Sequence, residues 1–427
     1  MNLYELKTED FAGLTYACSC GETHRVETRR ILCGKGALDR LVATVEETGA
    51  NSILFVSARD VYDKYGRSVE LLLRKSYRLN VHVFPSGFVP TLLRVAELSK
   101  YPAADAVVCF GSGSVADVSK YYCSIKGAPL VAVLTAPCAD LSGYCNLMLN
   151  GKTERLLASA PYAVVADAEL VGTAPPAMIA SAFGWIAGTA LALFEWKFAY
   201  LIGREPYCAE LAKFSEHLIR CAADAGEKVN EGSRDALMEL TECLLKHAAC
   251  TQLLGKNRLA ESSATLTAAI LQAMKEPVGA GSLLGERVLL CANRLIRLFE
   301  AALSEDVKLP ILPTDKARRA SLLAKYCGTD AAETLQRLYD QPKINMELAQ
   351  YKIREYRREL LGELRELERL FSRINRIFKR MYPDGGFWLR SLKLPNLRTA
   401  AYLAPDLSDT FTVLTLLRDE GLLEYVG

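Results

Sequence analysis

Val107-Val108-Cys109-Phe110-Gly111-Ser112-Gly113-Ser114-Val115-Ala116-Asp117-Val118-Ser119-Lys120 is the stretch whose reading decides the fold. The apolar run to Phe110 predicts a buried strand and the small residues after it a tight turn, while Val115, Val118 and Tyr122 keep the spacing of one helix face. Glycines 111 and 113 stand where the backbone must bend sharply and can lie close to a ligand. The first N–H groups of a helix have no intrahelical partner and attract phosphate. Such a turn is unspecific by itself, because glycine turns join strands to helices in many proteins that bind nothing.

Outward from this stretch, short apolar runs at 31–33, 53–57, 81–84, 106–110, 130–134 and 163–166 have the character of strands buried on both faces. Helical periodicity fills the intervals at 37–47, 62–77, 91–101 and 115–125. The alternation predicts an α/β domain over 1–170 with a doubly wound, mostly parallel sheet, whose ligand crevice lies beyond the carboxyl ends of the strands. Past Gly172 the strand signal fades. Thr173 reads as an N-cap, Pro175 and Pro176 suit a first helical turn, and 171–427 reads as an all-helical domain broken near 203–206, 277–281, 310–313 and 383–386.

Lys and Arg number 52 against 50 Asp and Glu, so the charge balance gives no reason to expect a nucleic-acid partner. The arginine-rich segment 352–380 carries Ile353, Leu360, Leu364, Leu367, Phe371, Ile374 and Phe378 on one stripe and five glutamates among its basic residues. It reads as an amphipathic helix with a solvated, ion-paired face. Thirteen cysteines scattered through apolar segments suit a reducing compartment, and residues 1–7 carry neither an apolar nor an arginine-rich targeting pattern. The expected location is the cytoplasm. Residues 177–194 are uncharged over eighteen positions, yet they contain Ser181, Gly184, Gly188 and Thr189 and end at Glu195-Trp196-Lys197, which favours a buried core helix over a membrane span. Cys18-Ser19-Cys20-Gly21-Glu22-Thr23-His24 offers three potential zinc ligands, but no CxxC or HxxxH follows, and a tight turn before the first strand is the plainer reading.

Gly111 to Lys120, followed by Thr135-Ala136-Pro137-Cys138-Ala139-Asp140 and Gly143-Tyr144, resembles the sn-glycerol-1-phosphate dehydrogenases. These belong with the iron-containing alcohol dehydrogenases, glycerol dehydrogenase and dehydroquinate synthase. The same resemblance extends through residues 163–167, 174–184 and 195–197, to the Cys18–His24 motif of bacterial members, and to residues 411–414 and 421–423 near the C-terminus. It implies a nucleotide domain followed by a helical, metal-holding domain, NAD or NADP as cofactor, a small phosphorylated substrate such as dihydroxyacetone phosphate, a homo-oligomer, and no membrane partner. In the family a divalent metal stabilises the negative charge that hydride transfer leaves on oxygen.

Carried over by position, the resemblance assigns Gly111, Ser112, Gly113 and Ser114 to the pyrophosphate, with Asp117 organising the turn and Thr135 near the nicotinamide. It puts Lys120 with Asp117 in organising the turn and site, and Asp140 in the substrate pocket, with two residues inserted between Asp140 and Gly143 relative to the family; Lys120, Asp140 and Tyr144 are the candidate acid–base groups if the chemistry is metal-free. After the second strand, Asp60 could hold ribose hydroxyls or Arg59 a 2′-phosphate. The family's three metal ligands, an aspartate and two histidines, are replaced here by Trp185, Thr265 and Leu284. An indole, a neutral hydroxyl and a hydrocarbon do not make a catalytic zinc site, so a divalent metal is not expected there. Three readings follow: a dehydrogenase with an unconventional site, a non-catalytic nucleotide-binding or partner subunit, and a metal-free enzyme using Asp140, Tyr144 or Lys120.

Overall fold

The computed structural model describes residues 1–139, 141–149, 151–274, 283–304, 315–340, 345–383 and 394–419. Asp140 and the proline-rich breaks at 277–281 and 310–313 lie outside the described residues. The chain forms two compact units: Met1–Leu149, Thr153–Ile179 and Lys213–Asn257 make the first, and Asn150–Lys152, Ala180–Ala212 and Arg258–Gly427 the second.

In the first unit, a short hairpin of β1 (Thr15–Ala17) and β2 (Thr23–Arg25) precedes a six-stranded sheet. The sheet takes β3 (Arg30–Gly34), β4 (Ser52–Ala58), β5 (Arg78–Phe84), β6 (Ala106–Phe110), β7 (Leu130–Val133) and β10 (Ala163–Asp167) in the order β3-β10-β7-β6-β4-β5. Every pairing is parallel. Between β7 and β10 the chain forms a separate pair of strands, β8 (Tyr144–Leu149) and β9 (Lys152–Leu157). Helices α1 (Leu41–Glu46), α2 (Arg67–Leu73), α3 (Leu92–Leu98) and α4 (Ser114–Lys126) fill the crossovers.

The alternation of side chains along each strand sorts two cores onto the two faces of the sheet. Leu54, Val56, Val107 and Cys109 pack with Val115, Val118 and Tyr122 of α4. Ile53, Phe55, Val108 and Phe110 pack on the other face with Leu41, Val45, Val69 and Leu73. Both faces being covered explains why these strands read as continuous apolar runs. The strand order places the switch point between β4 and β6: the chain leaves β4 towards β5 at one edge and leaves β6 towards β7 in the opposite direction.

The long apolar segment is helix α5 (Pro176–Leu201), with a mean hydropathy of 1.8 in its most apolar window and 61% of that window buried. Thr173 does not cap it. Its hydroxyl donates to the Leu170 carbonyl at 2.7 Å and closes the single helical turn Ala168–Val171 instead. Helices α6 (Ala209–Asn230) and α7 (Arg234–Leu254) follow.

The second unit is helical: α8 (Ser263–Ala273), α9 (Leu284–Leu303), α10 (Lys316–Cys327), α11 (Ala331–Asp340), α12 (Met346–Met381), α13 (Leu394–Leu403) and α14 (Val413–Asp419). The arginine-rich α12 buries Ile353, Leu360, Leu364, Phe371, Ile374 and Phe378. Asn293 of α9 bonds Asn375 of α12, and Lys197 of α5 pairs with Glu359 at 2.7 Å and with Glu363. The basic stripe is thus the solvated face of a packed helix, as its periodicity predicts.

Candidate nucleotide and metal sites

The Gly111–Ser114 turn leaves the carboxyl end of β6 at the switch point. Gly111 has φ +152 and Gly113 φ +62, and an added Cβ at Gly113 would meet no protein atom within 4 Å. A side chain at 113 would therefore be strained by the backbone and would project into open space. Gly113 is the N-cap of α4 and offers no side-chain bond to the helix, so the first N–H groups of α4 lack a side-chain cap. Such a helix start, at the mouth of a parallel sheet, can receive a phosphate.

Side chains around the turn hold it rigid. The Ser112 hydroxyl accepts from the Thr135 and Ala136 N–H groups at 3.1 and 3.2 Å, and joins the turn to the 134–138 loop. Ser112 can therefore offer a ligand its backbone, with its hydroxyl already committed. Thr135 is buried beside it. Ser57, not singled out from sequence, donates to the Phe110 carbonyl at 2.8 Å and ties the ends of β4 and β6 together. Its signal was a hydroxyl closing an otherwise apolar strand. Arg59 and Asp60 follow on exposed positions, with Arg59 paired to Asp63 at 3.4 Å.

Asp117, Lys120 and Tyr144 come together on one side of α4. Buried Asp117 accepts from the Asn146 N–H at 2.8 Å, and Lys120, 1% exposed, donates to the Tyr144 carbonyl at 3.4 Å. Both bonds fasten β8 to α4. The Arg155 guanidinium lies 5.5 Å over the Tyr144 ring. Cys145, next in the strand, is pushed up to about 12 by burial and then by the Asp117 charge, which leaves it a protonated, unreactive thiol. Gln252 of α7 donates to the Leu141 carbonyl at 2.6 Å and anchors the loop after Asp140.

Trp185, Thr265 and Leu284, the positions the resemblance matches to metal ligands, lie in the second unit on α5, α8 and α9. Ala-sized side chains would not fit where α5 meets α9: a Cβ on Gly285 would stand 1.8 Å from the Ser181 carbonyl oxygen, and one on Gly184 2.6 Å from that of Gly285. The Gly285 N–H also bonds the Ser181 hydroxyl at 3.1 Å. One turn along α5, Gly188 faces Val288 and the Thr265 methyl, 2.5 and 3.2 Å from where its Cβ would be. This close approach puts the Trp185 backbone nitrogen beside Gly285 and the Thr265 methyl beside Gly188.

Their chemistry does not suit a cation. The Thr265 hydroxyl is spent in a capping box, accepting from the Ser262 N–H at 2.8 Å and donating to the Ser262 carbonyl at 2.9 Å. Trp185 supplies an N–H donor and Leu284 no lone pair. Glu261, a conceivable substitute, accepts from the Thr410 hydroxyl at 2.6 Å. Glu195, fully buried, accepts from the Ser263 N–H at 2.9 Å, the Ser263 hydroxyl and the Val413 N–H at 3.0 Å. Burial raises its pKa against the pull of those bonds, and its role is to join α5, α8 and the start of α14.

Residues 32–175 match the profile of the iron-containing alcohol dehydrogenases. The Gly111–Ser114 turn and most of the sheet lie within that match, and over it the chain is similar to that family. Among curated relatives, the glycerol-1-phosphate dehydrogenase [NAD(P)+] of Bacillus licheniformis is 26% identical over 252 residues, 54% of this chain and 60% of that protein. The chain thus spans less than two thirds of that relative's length. In fold, the chain is similar to maleylacetate reductase from Agrobacterium tumefaciens, with a TM-score of 0.59 at 16% identity over 94% of this chain and 97% of the other. It is also similar to sulfoacetaldehyde reductase from Bifidobacterium kashiwanohense in complex with NAD+, with a TM-score of 0.58 at 14% identity over 93% and 95%.

Proposed function

We propose that this chain binds NAD(H) or NADP(H) at the Gly111–Ser114 turn and has given up the metal-dependent reduction of dihydroxyacetone phosphate, serving as a nucleotide-binding or partner subunit in a reducing compartment, most simply as a homo-oligomer. The observation that carries the reading is the contrast between two sites. The start of α4 at the switch point, with a glycine in place of a capping side chain, suits a pyrophosphate. The crossing of α5, α8 and α9 retains its packing but presents indole, committed hydroxyl and hydrocarbon where three metal donors would stand. Stabilising developing charge on oxygen is usually the largest single term in such a reaction, so its loss removes the reaction while leaving the nucleotide site.

A metal-free reduction is the second reading, favoured by one observation: Lys120 is buried on the helix that the turn opens and its amine bonds the Tyr144 carbonyl, which brings two candidate acid–base residues together. Two measurements separate these readings. Calorimetric titration with NADH and with NADPH reports nucleotide binding, and oxidation of either in the presence of dihydroxyacetone phosphate, with and without added Zn2+, Ni2+ or Fe2+, reports turnover. Binding without turnover is expected under every condition. Metal-stimulated turnover would overturn the proposal, and metal-independent turnover abolished by Lys120→Met would establish the second reading.

A further inference from the structure

The hairpin at the start of the chain holds a cluster that the nucleotide site does not use. Cys18 and Cys20 lie in the β1–β2 turn and His24 on β2, and their ligand atoms fall within 4.8 Å of one another. The turn is set by the backbone: the Cys18 N–H donates to the Glu22 carbonyl at 2.9 Å, the Gly21 N–H donates to the Cys18 carbonyl at 3.0 Å, and Gly21 has φ +94. The Cys-x-Cys pair is therefore held on one side of the loop by main-chain bonds that need no metal.

His24 is 4% exposed, and its Nδ1 lies 2.7 Å from the Leu253 carbonyl oxygen of α7. A carbonyl only accepts, so Nδ1 carries the proton and Nε2 keeps its lone pair. Nε2 lies 3.5 Å from Cys20 Sγ. Locking one ring nitrogen on a backbone carbonyl so that the other points at a metal is the usual outer support of a histidine ligand. Zinc bonds of about 2.3 Å to sulfur and about 2.0 Å to nitrogen put tetrahedral donors roughly 3.5 Å apart, a short contraction from the cluster as it stands. Cys20 is exposed, which gives a cation an entry path.

We infer that Cys18, Cys20 and His24 hold a zinc ion that fastens the β1–β2 hairpin to α7. Binding converts the two thiols to thiolates and releases their protons to solvent, with no change of oxidation state. Two soft thiolates and an imidazole select zinc over magnesium or calcium. The ion is structural, and the inference stands independently of whether the nucleotide site is active.

The test uses the full chain purified without chelator. Metal analysis is expected to find about one zinc per chain, matching a single site of this kind, and Cys18→Ser/Cys20→Ser and His24→Asn to lose it. Cobalt in its place should give the visible bands of a tetrahedral thiolate site, absent from the double variant. Should the variants fail to fold, alkylation of the native chain decides: with zinc bound, Cys18 and Cys20 are protected, and removal of zinc by chelator exposes both, while the remaining thiols show which donor completes the coordination. Zinc retained in full by the folded double variant would overturn the inference. So would rapid alkylation of Cys20 in zinc-loaded protein, or isolation of the pair as a disulfide that takes up no metal after reduction.

Discussion

At the scale of the residue, burial decides which titratable groups can act and which can only destabilise. His247 on α7 is 6% exposed, and its Nε2 has no hydrogen-bond partner. Burial, and then the positive charge of Arg155, lowers its pKa to about 4. The unfolded chain takes up a proton near pH 6.5 that the native state refuses until about pH 4. The native state therefore has the full benefit above pH 6.5 and loses it as pH falls towards 4, by about 2 kcal/mol between pH 6.5 and 5. His247→Leu should remove that portion of the acid sensitivity while leaving the part due to carboxylates. Urea unfolding of both chains at neutral pH and at about pH 5 checks it, with equal pH dependence in the two as the contrary result. Lys120 and Asp117 show the other outcome: buried as well, but bonded to β8, they are fixed in place.

At the scale of the element, the crossing of α5 and α9 is the clearest constraint in the second unit. Gly285→Ala would force its methyl carbon to 1.8 Å from the Ser181 carbonyl oxygen and 2.9 Å from the Trp185 nitrogen, both backbone atoms that cannot rotate away. The helices must part, and a cost of about 3 kcal/mol or more is expected, at the upper end for overpacking. Thermal or denaturant unfolding of the variant reads it, and a loss below about 1 kcal/mol would mean that the helices slide freely. The sheet was legible from sequence because strands covered on both faces must be apolar throughout, as β6 and β10 are. The long helices were legible from their periodicity. The hairpins β1–β2 and β8–β9 were not, since their short strands carry mixed polar and apolar residues such as Thr15-Tyr16-Ala17 and Lys152-Thr153-Glu154. Thr173 misled for a local reason: a hydroxyl before a proline pair can cap the next helix or close the last one, and here it closes the last one. The contacts that shape the crevice, Ser57 to Phe110 and Ser112 to the 134–138 loop, join residues far apart in sequence, so no local pattern announced them.

At the scale of the molecule, the chain divides into two compact units. The first also takes in α7, whose Gln252 bonds the Leu141 carbonyl and whose Leu253 carbonyl bonds His24 of β2, although nothing in the pattern of α7 distinguishes it from helices of the second. If the nucleotide site is the retained function, saturating it must stabilise the unit that contains it. NADH or NADPH at about 100 times its dissociation constant would add roughly 2.7 kcal/mol to the free energy of unfolding. Gly113→Ala separates that effect from general damage. The added methyl meets no protein atom within 4 Å, so the cost to the empty protein is the backbone strain of a side chain at φ +62 and ψ −118, a conformation that favours glycine, about 1–3 kcal/mol. The same methyl stands where a pyrophosphate would lie against the start of α4, so the nucleotide-induced rise in melting temperature should vanish in the variant, measured from its own lowered unliganded melting temperature. A full shift retained by Gly113→Ala would move the nucleotide away from this turn, and no shift in the parent chain with either nucleotide would leave the turn a structural relic.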